Sequence, residues 1–247
     1  MKKIATILLI IMISINPVFA QSETNEQDET IIEQKSIYDP FEGINRYTYQ
    51  LNKGIDTYGI KPISIFYKNN TPKTIQKGVS NFLNYLETPF YAINFGLQGN
   101  KEKFADSLGR FIVNTFGFGV LDFASAADIP KEKTTTGETL GYWGVPEGPY
   151  IVLPLLGGNT LRDNAANIAF EMNYSLTSTF NDPLKYTSIG LKVVDTRKNL
   201  LQYDSFIEEA AIDEYSFVKQ LIVNQKRKNI EEIKESEFLE KTVQPLE

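Results

Sequence analysis

Apolar residues recur in this chain at helical spacing, and that periodicity narrows the fold class more than any other feature. Ile75, Val79, Phe82, Leu83 and Leu86 follow one another at the intervals of a single helix face. Phe104, Leu108, Phe111, Ile112 and Phe116 repeat the pattern, and so do Leu161, Ala165, Ile168, Ala169, Met172 and Leu176. Further stripes run through Ile44, Tyr47, Leu51, Ile55 and Tyr58, and through Tyr215, Val218, Leu221 and Ile222. Thr71-Pro72 predicts a helix start, with a capping hydroxyl and then a proline in the first turn. Only Tyr150 to Leu156 is an apolar run short enough for a strand. The expected fold is mainly α, a single domain of amphipathic helices.

Two segments break the helical pattern. Gly117 to Phe123 sets two phenylalanines and two aliphatics among glycines, and Gly137 to Gly158 carries six glycines and three prolines around Tyr142, Trp143 and Tyr150. Glycine and proline defeat a regular helix while the large rings demand burial, so both segments are expected to be ordered loops. Their rings either fill the core or face lipid, where Tyr and Trp favour the headgroup level.

The ends of the chain read differently from its middle. Lys2 and Lys3, the apolar run Ile4 to Ile15, the break at Asn16-Pro17 and Val18-Phe19-Ala20 make residues 1–20 an expected signal peptide. That run is too short to cross about 30 Å of hydrocarbon. Gln21 to Ser36 has five acidic residues and no aromatic, the composition of an unfolded tether. Residues 37–225 form the expected folded domain, and 226–247 a charged tail.

The 247 residues contain no His and no Cys. Ser-His-Asp and Cys-His catalysis, imidazole and thiolate metal sites, disulfides and an acylated cysteine are excluded together. Ala105-Asp106-Ser107-Leu108-Gly109 looks like a serine-hydrolase motif, but no His is present to take the serine proton, and Ser107 falls mid-helix. Gly117-x-Gly119 lacks the third glycine of a dinucleotide loop. Carboxylate-only chemistry survives, with Glu42, Glu138, Glu147 and Asp163 as candidates for a glycan-cleaving pair. Asp39-Pro40 and Arg162-Asp163 read as turn and cap residues before helices. The formal charge is -6, so nucleic acid is not an expected partner.

Five ordered blocks carry a family resemblance. They are Asp39-Pro40-Phe41-Glu42-Gly43-Ile44-Asn45-Arg46; Ser80-Asn81-Phe82 with Asn84 and Leu86-Glu87-Thr88-Pro89; Asn94 to Gly99; Arg110 to Thr115 with Gly117 and Asp122; and Thr139 to Val145 followed by Gly148-Pro149-Tyr150, Leu153-Pro154 and Thr160 to Asp163. In these the chain resembles the MlaA/VacJ family, departing at Gly158-Asn159, where the family usually has Pro-Ser. The resemblance implies a ring of amphipathic helices around a polar channel in the inner leaflet of the bacterial outer membrane. It implies no catalytic residue and no cofactor. Its implied partners are phospholipid, a trimeric outer-membrane porin and a soluble periplasmic lipid carrier. The implied function is removal of phospholipid that has strayed into the outer leaflet, which keeps the membrane asymmetric.

A polar path would lower the barrier to carrying a charged headgroup through hydrocarbon. The polar members of the matching blocks, Asn45, Arg46, Asn81, Asn84, Arg110, Asn114, Arg162 and Asp163, are the expected channel lining. Phe116, Phe118, Val120, Leu121, Phe123, Tyr142 and Trp143 are the expected membrane-contact or gating residues. Without a cysteine the chain is expected to be exported unlipidated. The alternative is a soluble periplasmic lipid- or glycan-binding protein.

Overall fold

The computed structural model describes residues 36–171, 176–210 and 212–243. The expected signal peptide, nearly all of the expected tether, Met172 and residues 244–247 lie outside the described residues. The described chain is mainly helical. Helix α1 (Glu42–Ile55) passes through a π-helical turn (Asp56–Ile60) into α2 (Lys61–Asn70), followed by α3 (Lys73–Leu97) and α4 (Lys101–Thr115). The short helices α5 (Phe123–Ala126) and α6 (Thr136–Tyr142) lead to a two-stranded antiparallel hairpin, β1 (Tyr150–Leu153) and β2 (Gly157–Thr160), with Tyr150 opposite Thr160. Then come α7 (Leu161–Ala166), a π-helical turn (Asn167–Glu171), a 3-10 turn (Leu176–Thr179), α8 (Asp182–Leu200), α9 (Asp204–Ala210) and α10 (Glu214–Val243). Among the described residues no helix is long and apolar enough to cross a membrane.

Neighbours close into a circuit. α2 packs on α8, α8 on α3, α3 on α6, α6 on α7, α7 on the hairpin, and the hairpin on α1, which leads back to α2. α4 lies along α3, and α10 lies over α6 and β2. A compact apolar cluster, Tyr150, Val152, Tyr215 and Val223 with Ile37 and Tyr49 against it, sits where α1, the hairpin and α10 meet.

Elsewhere the burial is inverted. The apolar stripes that define the helices are largely on the outside: Ile44, Tyr47 and Leu51 of α1, Ile63 and Phe66 of α2, and Phe104, Leu108 and Ile112 of α4 are all exposed. What those helices bury is polar: Asn45 and Thr48 in α1, Ser64 in α2, and Ser107, Arg110 and Asn114 in α4. Buried polar residues outnumber buried apolar ones among the described residues. In water an uncovered apolar surface forgoes about 25 cal/mol per Å², and one this extensive marks a lipid or protein contact.

Side-chain amides hold the inverted parts together. Asn45 donates to the carbonyl of Tyr150 at 3.0 Å and accepts from the amide of Val152 at 2.8 Å, while its Nδ2 also reaches Asp39 at 2.8 Å. Asn52 does the same two turns on, with the Leu153 carbonyl and the Leu155 amide. The free edge of β1 is thus satisfied by a helix, as a buried backbone edge requires. Two sequence expectations are corrected here. The glycine-rich stretch after Gly137 holds helix α6, because Thr135 and Glu138 form a reciprocal capping box, and strand β2 follows before Thr160 caps α7. Glycine is needed at 158, since a Cβ there would meet the Tyr150 hydroxyl. The tail boundary at 226 also moves. α10 runs through it unbroken, Ile230 is buried, Lys226 and Asn229 reach Glu138, and Arg227 pairs with Glu147.

α6 can approach α7 and α10 only because of two glycines. A Cβ on Gly137 would run into the Asp163 carboxylate, and one on Gly141 into Ile230 and Arg162. Gly137→Ala is expected to cost about 1 to 3 kcal/mol in denaturant titrations. Gly54→Ala, inside α1 with nothing within 4 Å, is expected to be neutral or to gain up to about 1 kcal/mol.

Buried carboxylates set a pH limit on the same packing. For Glu138, burial pushes the pKa up, but Lys226, Asn229 and the Thr135 amide outweigh it and hold the pKa below the ordinary 4.5. Asp39 behaves alike: burial is outweighed by Lys219, Tyr215 and Asn45. The folded state therefore binds these protons less readily than the unfolded chain, and their stabilisation is complete above the unfolded pKa and drains away as pH falls. The thermal midpoint is expected to be flat from about pH 7 to about pH 5 and to drop below about pH 4.5. Glu138→Gln should shallow that drop.

Candidate functional site

Four of the eight expected lining residues come together. Asn81 and Asn84 of α3, and Arg110 and Asn114 of α4, line one polar cleft with Tyr85, Thr88, Tyr91, Ser107, Asp122, Lys131 and Glu132. Helix geometry explains the convergence. Residues 81, 84, 85, 88 and 91 share a face of α3, and 107, 110 and 114 share the facing side of α4. α4 begins cleanly because Asn100 accepts from the amide of Lys103 at 2.9 Å.

The cleft is tightly organised. Arg110 donates to the carbonyl of Ile129, to Asp122 at 2.7 Å and to Ser125 at 3.1 Å. Asn114 donates to Asp122 at 3.2 Å and accepts from the Ala124 amide at 2.9 Å. Asp122 also accepts from the amide and hydroxyl of Ser125 and so caps α5. Burial pushes its pKa up, yet Ser125, Asn114 and Arg110 together hold it below the usual carboxylate range. At the other wall, Tyr91 donates to Glu87 at 2.7 Å and Lys192 of α8 pairs with Glu87. The cavity volume is about 20 Å³, near that of a single water probe. In this state the cleft is closed to anything as large as a lipid headgroup.

The loop after α4 lies beside this cleft. Asn81 donates to the carbonyl of Val120 at 3.0 Å, and the Val120 side chain lies over Gly78. Gly119, at φ +72°, sits against the Tyr85 ring with no room for a Cβ. Phe118 is left-handed as well, at φ 53°, a conformation that costs a non-glycine residue about 1 to 2 kcal/mol. The loop offers its rings outward: Phe116 is 80 % and Phe118 84 % exposed. Val120, Leu121, Phe123 and, just after α6, Trp143 are also exposed. Tyr142 is only half-buried and meets the Trp143 ring edge-on. A second recess, apolar and about 390 Å³, opens beside this loop between Ile75, Val79 and Phe82 of α3 and Leu191 of α8.

The other four expected lining residues are elsewhere, each with a structural task. Asn45 is consumed by the β1 edge and Asp39. Arg46 lies on the outer side of α1, bonded to Glu42, Asp213 and Ser216 and stacked 4.5 Å over Tyr215. Arg162 and Asp163 are buried against each other beneath α6, where Arg162 also donates to the Val145 carbonyl and Asp163 accepts from Thr160. The carboxylates considered for glycan cleavage are likewise engaged: Glu42 with Arg46, Glu147 with Arg227, Glu138 in its capping box, and Asp163 with Arg162 and Thr160. Ser107 is buried within α4.

The cleft residues missed in the sequence were Tyr85, Thr88, Tyr91, Ser107, Asp122, Lys131 and Glu132. Those on α3 and α4 continue polar stripes begun by Asn81 and Arg110, a helical period of polar residues that mirrors the apolar one. Lys131 and Glu132 sit on an irregular strap and carry no periodic signal.

Comparison with known proteins agrees with this architecture. A family model described as MlaA lipoprotein matches residues 37–229. The chain is 32 % identical over 194 residues to the Escherichia coli K12 protein named "Intermembrane phospholipid transport system lipoprotein MlaA", covering 76 % of each chain. It is 30 % identical over 226 residues to an uncharacterized protein of Rickettsia felis, covering 86 % of this chain and 90 % of that one. A solved structure described as "Structural basis for maintenance of bacterial outer membrane lipid asymmetry" superposes with a TM-score of 0.71 at 29 % identity, over 79 % of this chain and 100 % of that one. The word lipoprotein in the relatives' names stands against the expectation of an unlipidated chain, although these 247 residues include no cysteine. With its helical circuit, its inverted burial and a family match over 37–229, the chain belongs to the MlaA lipoprotein family.

Proposed function

We propose that this protein carries phospholipid out of the outer leaflet of the bacterial outer membrane and hands it to a soluble periplasmic carrier, preserving lipid asymmetry without covalent chemistry. The observation that carries this reading is the inverted burial. Helices with apolar faces outward and a closed polar cleft between Asn81, Asn84, Arg110 and Asn114 suit a body that lies in lipid and gives headgroups a polar way through. A charged headgroup in bare hydrocarbon costs many kcal/mol, whereas acyl tails exposed to water cost about 0.8 kcal/mol per methylene. A path that is polar for one and apolar for the other lowers both barriers.

In this reading the ring lies in the inner leaflet beside a trimeric porin, its exposed apolar rim in contact with lipid. Release of the Val120 carbonyl from Asn81 swings the loop 116–121 aside and widens the cleft. Phe116 and Phe118 stay in the membrane throughout.

Cells lacking this protein are expected to accumulate phospholipid in the outer leaflet, measured by accessibility to an outer-leaflet lipid acylase or an amine-reactive label, and a plasmid copy should reverse it. An unchanged leaflet with the protein expressed in the control would remove the transport reading in favour of a soluble binding protein. Phe116→Asp with Phe118→Asp places two charges where the rim meets lipid, at up to about 3 kcal/mol each. In membrane flotation the double variant should shift toward the soluble fraction while keeping its helical circular dichroism.

A further inference from the structure

The apolar recess and the polar cleft lie on adjoining faces of α3. Ile75, Val79, Phe82 and Leu83 line the recess, and Asn81, Asn84, Tyr85 and Thr88 line the cleft. The seam between the two faces is Gly78, Asn81 and Tyr85, and the loop after α4 is seated along it. The Val120 side chain lies over Gly78, the Val120 carbonyl accepts from Asn81 at 3.0 Å, and Gly119 sits against the Tyr85 ring. One residue therefore belongs to both sites. Val120 gives its side chain to the recess and its carbonyl to a residue of the cleft.

The chemistry of the recess suits hydrocarbon. Among the described residues none that lines it is charged. Its hydroxyls are those of Thr74 and Ser188, and Ser188 is buried with its hydroxyl spent on the Leu184 carbonyl at 2.9 Å. A headgroup or an extended peptide would find few partners here for its polar atoms, and leaving them unmet is costly. At about 390 Å³ the recess falls within the range of small-molecule sites, about 300 to 1,000 Å³. A methylene fills much the same space as a water molecule in the liquid, about 30 Å³, so the recess has room for about a dozen. Ile75 on its α3 wall and Leu191 on its α8 wall are exposed, so the recess opens to the same surroundings that the apolar stripes face.

We propose that this recess seats one acyl chain of a phospholipid whose headgroup belongs to the polar cleft, the two sites being joined across Val120. The proposal deepens the transport reading above and rests on it. The recess is open in the state in which the cleft, at about 20 Å³, is closed to a headgroup. The chain is therefore seated first, and release of the Val120 carbonyl from Asn81 makes the two sites continuous.

The test uses the full chain, purified in a neutral detergent and mixed with a diacyl phospholipid that carries a photoreactive diazirine on one acyl chain. After illumination the labelled positions are located by peptide mass spectrometry. Label should concentrate on the recess segments of α3 and α8, and excess unlabelled phospholipid should suppress it more than a diacylglycerol of the same chains. Leu191→Trp or Ile75→Trp fills the recess from an exposed wall. Each should cut that labelling by about tenfold or more, because room for at least two methylenes is lost. Ile112→Trp, a similar enlargement on the outward face of α4, should leave it unchanged, and all three variants should keep the wild-type helical circular dichroism. Label spread evenly over the exposed apolar surface, or recess labelling indifferent to both fillings, would overturn the site. Equal suppression by the diacylglycerol would overturn its link to the cleft. A second protein or a second copy of this chain found covering this face, with label excluded, would give the recess to that partner instead. Recess labelling in the wild type together with an unaltered outer leaflet in cells lacking the protein would remove the transport reading and keep an acyl-chain site. Phospholipid accumulating in those cells with the recess unlabelled would do the reverse.

Discussion

A polar side chain placed inside a protein must find a partner, and this fold is organised around meeting that demand repeatedly. Each inward amide, hydroxyl or guanidinium that lacked a bond would cost about 1 to 3 kcal/mol. The chain answers by making its polar interior the means of joining elements. Asn45 and Asn52 fasten α1 to the edge of β1. Arg110 joins α4 to the strap and to the cap of α5. Arg197 draws Asp56 and Asp204 together, tying the π-helical turn after α1 to the start of α9. Burial alone would lower the pKa of that guanidinium, but the two carboxylates raise it beyond its ordinary value. Such networks are directional, so they fix geometry in a way that an oily core of the same size does not.

The same demand explains why the helices carry their oily faces outward. Once the inner face is committed to hydrogen bonding, the apolar stripe has nowhere else to go. The periodicity of Phe104, Leu108 and Ile112 marked α4 correctly, and its stripe faces the surroundings. Periodicity reports that a helix has two faces; it does not say which one the fold will enclose. The family blocks supplied that information for this chain, and its own residues did not.

Legibility was uneven for physical reasons. α1, α3 and α4 were readable because their apolar residues concentrate on one side, and α10 through the stripe from Tyr215 to Ile222 in its first turns. α8 was missed because Ile189, Leu191, Val193 and Val194 spread around its axis, and α6 because glycines hid a capping box between Thr135 and Glu138. Within the cleft, Asn81, Asn84, Arg110 and Asn114 were identifiable as polar members of matching blocks. Asn45, Arg46, Arg162 and Asp163 came from the same blocks and proved to be fasteners. A residue type alone does not separate an asparagine that faces water from one that reads a strand edge. That distinction depends on long-range contacts such as Asn45 with Tyr150, 105 residues apart. The strap bearing Lys131 and Glu132 was invisible for the opposite reason, since irregular backbone has no period to detect.

The closed cleft has a consequence for membrane economy. An open polar groove linking two leaflets would work as a scramblase, letting lipids equilibrate in both directions and erasing the difference the cell maintains. A cleft with a volume of only about 20 Å³ admits little more than a water molecule. On the proposed reading, traffic then waits on a discrete opening of the Phe118–Gly119 turn, and the resting protein does not short-circuit the bilayer it sits in. On that same reading the left-handed Phe118 makes the turn a valve under load, held shut by Asn81 and Tyr85.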